Sequence, residues 1–127
     1  MKVQVEVKEL KEGKYVIVDD EPCSIKSISK SKPGKHGSAK ARIDVIGLFD
    51  NQKRSIVSPV SDKIYVPIVE RKNAQVLSIS GNVAQLMDMG DFSTLELAIP
   101  DQYKDRVLEG EEVSYLTAMG KMKFDLR

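Results

Sequence analysis

The chain has 127 residues, 41% hydrophobic and 31% charged, with a formal net charge of +1. That balance excludes a polycation that binds nucleic acid by bulk charge, and it suits a core-forming polypeptide. One cysteine and one histidine exclude an internal disulfide and leave a structural tetrahedral metal site without ligands.

Strand signals run through the chain. Val3, Val5 and Val7 alternate with polar neighbours in KVQVEVKEL, an extended segment with one buried side. Tyr15 to Val18 is β-rich and ends at the polar turn Asp19-Asp20-Glu21-Pro22. Cys23 to Lys30 is the next strand. Its alternation is imperfect, because Ile28 shares parity with Lys26 and Lys30. Cys23 itself reads as a small buried hydrophobe. After a turn at Pro33–Gly37, Ala39, Ala41, Ile43 and Val45 face one way while Lys40, Arg42 and Asp44 face the other. The two runs read as a hairpin. KRSIVSPV and KIYVPIVE add two strands.

At Val66-Pro67-Ile68-Val69 the pattern changes, since proline breaks a central ladder, and a charged Glu70-Arg71-Lys72-Asn73 follows. The domain boundary is expected there, giving residues 1–69 and 70–127. The second part continues as AQVLSIS, VAQLMDM and STLELAIP, with Val83, Leu86, Met87 and Met89 read as core residues. DQYKDRVLEG is the best helix candidate, opened by Pro100-Asp101 and closed by Gly110. EEVSYLTAMG and KMKFDLR return to strand. The expected fold class is all-β: two small barrels, an SH3-like first domain and an OB-fold second domain with one short helix.

Charge is unevenly distributed. Residues 1–70 hold 13 Lys/Arg against 10 Asp/Glu, and residues 71–127 hold 7 against 9. Between Pro22 and Ile43 the cations Lys26, Lys30, Lys32, Lys35, Lys40 and Arg42 have no acid among them. They surround the turn SKSKPGKHGSAKAR. The run is not a phosphate-binding P-loop: Ser29 stands where that motif needs its first glycine, and His36 where it needs Ser or Thr. His36, bordered by flexible positions, has no orienting partner for general-base work. A basic hairpin bounded by glycines instead suits RNA phosphates. With aromatics at 6% and no tryptophan, backbone and shape contacts are expected in place of base stacking.

The same residues carry a resemblance. Lys32-Pro33-Gly34-Lys35-His36-Gly37 followed by Ala39-Lys40 resembles the signature of the translation initiation factor 5A family, the hypusine-containing factors, in its archaeal form. The likeness extends through LKEGKYVIVDDEPC, IGLFDNQKR, YVPIVERKNAQV and QLMDM. It implies the same SH3-like and OB pair and a non-enzymatic translation factor. The lone cysteine and the lack of a membrane-length apolar run independently give the expectation of a cytoplasmic protein. It further implies that Lys35 is the residue modified to deoxyhypusine or hypusine. Ser31, Lys32, Pro33, Gly34, His36, Gly37 and Ser38 then form the recognition loop, and Lys30, Lys40 and Arg42 contact RNA. The chain would use no cofactor of its own; deoxyhypusine synthase, a separate NAD-dependent enzyme, would supply an aminobutyl group from spermidine. The implied partners are that synthase, the ribosome and peptidyl-tRNA, with no membrane and no small-molecule substrate. The alternative reading is a general RNA-binding β-barrel protein acting on mRNA with Lys35 unmodified.

Overall fold

A computed structural model describes residues 2–31 and 39–126 of the chain. The elements in chain order are β1 (Lys2–Glu6), β2 (Tyr15–Val18), β3 (Glu21–Ser31), β4 (Lys40–Gly47), β5 (Lys53–Pro59), β6 (Lys63–Pro67), β7 (Glu70–Ser80), β8 (Val83–Asp88), β9 (Thr94–Ala98), β10 (Glu112–Ala118) and β11 (Lys121–Phe124). Two short 3-10 turns, Val7–Glu9 and Asp101–Tyr103, complete the set. The all-β class expected from the sequence is the one observed. The chain divides into two compact units, residues 1–68 and 69–127.

In the first unit, β2-β3-β4-β5 form a four-stranded antiparallel sheet, and β1 pairs with β6 in a separate ribbon. The core is aliphatic: Val7, Leu10, Val16, Val18, Cys23, Ile25, Ala41, Ile43 and Val45 are buried, and Val5, Ile64 and Val66 of the ribbon pack against them. Alternation along β4 delivers Ala41, Ile43 and Val45 to this core as expected. The turn before β3 is tighter than the sequence suggested. Asp19 and Asp20 both take positive φ, 53° and 61°, so they alone make the hairpin loop, and Glu21 and Pro22 already belong to the ladder. Short acidic side chains tolerate this left-handed backbone better than branched ones do.

The parity break at Ile28 has a structural cause. The register of β3 on β4 shifts between Ile25 and Ser27, so Ile25 faces Val45, Ser27 faces Asp44 and Ile28 faces Ile43. Lys26 is the extra residue of a β-bulge. The bulge returns Ile28 to the core side and leaves Lys26 and Ser27 together on the solvent side.

The second unit is one antiparallel sheet in the order β11-β10-β7-β8-β9. Its core comprises Ala74, Val76, Ala84, Leu86, Leu97, Ile99, Val107, Val113, Tyr115 and Phe124. A second bulge falls between Val76 and Ser78, where the extra residue, Leu77, is exposed. Leu86 is in the core as expected, but Val83 and Met89 are exposed. Val83 opens β8 on the face opposite Ala84 and Leu86, and Met89 lies past the strand end.

The expected helix over 101–110 is a single 3-10 turn followed by turns. Tyr103 and Lys104 donate their amides to Pro100 and Asp101, three residues back. Of the segment's side chains only half-buried Tyr103 and buried Val107 pack against the core. Two anchors four residues apart hold one turn, and so short a stretch does not repay helix nucleation.

Candidate nucleic-acid interface

The hairpin of β3 and β4 is the longest in the first unit, paired without further shift from Ser27↔Asp44 to Ser31↔Lys40. Its far end is tied to β5 as well, where Lys40 faces Pro59 and the Val60 amide donates to the Ala39 carbonyl at 3.0 Å. Lys32, Pro33, Gly34, Lys35, His36, Gly37 and Ser38, which the sequence singled out, lie outside the described residues. Of the remaining site candidates, Ser31, Lys30, Lys40 and Arg42 are all exposed.

The register separates those candidates. Lys40 and Arg42 share the solvent face with their partners Ser31 and Ser29. Lys30 pairs with buried Ala41 and so belongs to the opposite face, beyond the edge of the core. Three cations that look equivalent in sequence therefore point to two sides of one hairpin.

Arg42 is not unopposed. Its Nε lies 3.5 Å from Asp44 Oδ1, because an acid two residues along a strand returns to the same face. Asp44 in turn accepts hydrogen bonds from Ser55 Oγ at 2.5 Å and Ser27 Oγ at 2.8 Å. These two hydroxyls, with a smaller contribution from Arg42, hold its carboxyl below the usual aspartate range.

Two cations that sequence reasoning did not assign to the site join this face. Lys26 faces outward by alternation from buried Ile25, and Lys53 by its pairing with Ile46. Lys26, Asp44, Ile46, Lys53 and Ser55 line a shallow depression of about 240 Å³. The signal for Lys53 was available only after strand pairing, since its parity within β5 has no meaning until a register is known.

Beneath the other side of β5, Arg54 bonds Asp50 through Nη2 at 2.7 Å and Nη1 at 3.2 Å. Burial raises the Cys23 thiol, with Arg54 acting in the opposite direction. Cys23 is fully buried and donates to the Glu21 carbonyl, so it serves as the packing residue expected. Among the described residues there is no group of three or more His, Cys, Asp and Glu that could hold a metal ion. No helix among them is long and apolar enough to cross a membrane.

Comparison with known proteins places these two β units among the factors of protein synthesis. Residues 2–62 match the family model "Translation initiation factor 5A-like, N-terminal", and residues 68–124 match "Eukaryotic elongation factor 5A hypusine, DNA-binding OB fold". A translation initiation factor 5A from Methanosarcina acetivorans is 76% identical over all of this chain and 99% of its own length. One from Methanococcoides burtonii is 75% identical with both chains fully covered. The solved structure of the eukaryotic translation initiation factor 5A from Methanococcus jannaschii superposes with a TM-score of 0.91 at 46% identity, covering 98% of this chain and 93% of that one. The chain belongs to the translation initiation factor 5A family: it is a translation factor with that family's N-terminal domain followed by its hypusine OB-fold domain.

Proposed function

We propose that the chain acts on the ribosome through Lys35. A separate NAD-dependent enzyme, deoxyhypusine synthase, transfers the aminobutyl group of spermidine to the Lys35 ε-amine, breaking that group's bond to the secondary nitrogen and releasing 1,3-diaminopropane, and the chain is its substrate. Residues 31–38 form the loop that the synthase recognises. The longer side chain carries a second protonated amine. It reaches the acceptor end of peptidyl-tRNA in a crevice too narrow for the hairpin backbone. There it holds the tRNA in a reactive geometry when the nascent chain aligns poorly. Consecutive prolines create that need, because the fixed φ of proline and its secondary amine hinder alignment. The factor contributes positioning to a reaction catalysed elsewhere.

The observation that supports this reading is the anchoring of the two strands that flank residues 32–38 in the sequence. Their Ile28↔Ile43 pair is rooted at the core and their last described pair is Ser31↔Lys40. The SH3-like and OB domains are assigned to residues 1–69 and 70–127.

The test is the mass of the Lys35 peptide from native cells, together with translation of proline-rich messages by Lys35→Arg. The reading expects an aminobutyl addition on Lys35 and a loss of proline-rich translation in the variant, since arginine keeps the charge but cannot be modified. An unmodified Lys35, or full activity of Lys35→Arg, overturns it in favour of unmodified RNA binding.

A further inference from the structure

The solvent face of β3, β4 and β5 carries cations beyond those at the end of the hairpin. From Ser24 onward this face presents Lys26, Ser27, Ser29 and Ser31 on β3. It continues with Lys40, Arg42, Asp44 and Ile46 on β4, and Lys53, Ser55 and Val57 on β5. Asp44 is the only carboxylate among the described residues of that face. Lys26, Lys40 and Lys53 make no ion pair with any described residue. From Lys40 to the Ile46–Lys53 pair is six residues of β4, about 20 Å at the usual strand rise.

We propose that this face is an RNA phosphate-backbone surface running from the hairpin down to the Lys26–Lys53 depression, with Asp44 as an internal counterion that parks Arg42. The proposal rests on the reading of the first unit as RNA-facing and names the surface that does the facing.

Three observations support it. Lys26 and Lys53 meet at the depression, and the bulge turns Ser27, Ser29 and Ser31 to this face where a regular strand would have put Ile28 and Lys30. The spaces between the cations are filled by serines, whose small hydroxyls let a phosphate approach and can donate to it. Asp44 keeps two hydroxyl donors, from Ser27 and Ser55, if Arg42 swings to a phosphate, so release of Arg42 leaves no bare carboxylate. The 3.5 Å Arg42–Asp44 contact, exposed on both sides, is of the weak surface kind. An acidic protein partner is the poorer fit. Protein interfaces centre on aromatic or large aliphatic anchors, and this face offers only exposed Val57 and half-buried Ile46.

The test uses the full chain purified with Lys35 unmodified, so that its outcome is independent of the modification. The probe is a transfer RNA transcript, titrated over a range of salt. Lys26→Gln/Lys53→Gln should bind several-fold more weakly, with a log–log salt slope shallower by about two. Both side chains are exposed, so packing is unaffected. Asp44→Asn should bind several-fold more tightly. The control Lys63→Gln/Lys104→Gln, which removes two exposed lysines elsewhere, should keep the wild-type slope. An unchanged slope in the first variant, an equal drop in the control, or no gain in Asp44→Asn overturns the proposal. So does competition by polyglutamate as effective as competition by unlabelled RNA, which would mark a surface for acidic protein.

Discussion

The Tyr115 hydroxyl donates a hydrogen bond to the Asp88 carboxylate inside the second unit. The pair bridges β10 and the end of β8, two strands separated in the sheet by β7. Asp88, 4% exposed, also accepts from the amides of Gly90 at 2.8 Å and Asp91 at 3.1 Å. One buried carboxylate thus fixes the turn leading to β9 and ties it to the far side of the sheet. Tyr115→Phe should lower unfolding stability by about 1–2 kcal/mol, the usual cost of leaving a buried partner short of a donor. Denaturant melts measure this. Burial first, and the bond to Asp88 second, push the Tyr115 phenol well above its ordinary range. Its neutral form is favoured by folding, so the associated stability is present below the unfolded tyrosine pKa and lost as pH rises beyond it. In an alkaline absorbance titration, the late ionisation step should disappear in Tyr115→Phe.

Acid stability depends on two aspartates, one in each unit. The Tyr115 bond, then the Asp91 and Gly90 amides, lower the Asp88 pKa; the Ser55 and Ser27 hydroxyls lower that of Asp44. A carboxyl depressed by folding contributes stability above its unfolded pKa, about 3.9 for aspartate. That contribution is lost as pH falls through the lower folded value. Melting temperature should therefore drop on acidification below about pH 4. Asp44→Asn should flatten this dependence in the first unit. An acid limb of unchanged steepness in that variant would show that Asp44 carries none of it.

Gly47 is required by its neighbours and not by its backbone angles. A Cβ there would sit 1.9 Å from Asp50 Oδ1 and 2.9 Å from Arg54 Nη1. Gly47→Ala should displace the Asp50–Arg54 pair and cost roughly 1–3 kcal/mol as an overpacking change. Arg54 lies against Cys23, so its displacement should also speed labelling of that thiol by a small alkylating reagent under native conditions. Labelling as slow as in the parent chain would mean that the side chains absorb the methyl group without moving Arg54.

The hairpin was legible because β4 alternates cleanly from Ala39 to Val45. The bulge at Lys26 was visible only as an irregularity in that pattern, since Ile28 has the wrong parity and nothing local says how the chain corrects it. The helix expected over 101–110 rested on its boundary residues, Pro100 and Gly110. The interior held too few core anchors to sustain more than one turn. Val83 and Met89 looked like core by composition, but strand phase and strand end put them outside.

The site divides in the same way. The motif around Lys35 and the excess of cations near it can be recognised from the chain itself, because turn residues and charge are local properties. The assignment of Lys40 and Arg42 to one face and Lys30 to the other could not be read there. Neither could the attachment of Asp44 to Ser27, Ser55 and Arg42, or the meeting of Lys26 with Lys53.

By itself, the sequence determined that this is a β-rich chain of two units with a cationic, glycine-bounded hairpin and the signature of its family, since alternation and turn chemistry act over a few residues. Only the tertiary structure decided which charges share a surface. That depends on register between strands distant in sequence, and a single inserted residue such as Lys26 reverses the side on which every later side chain falls.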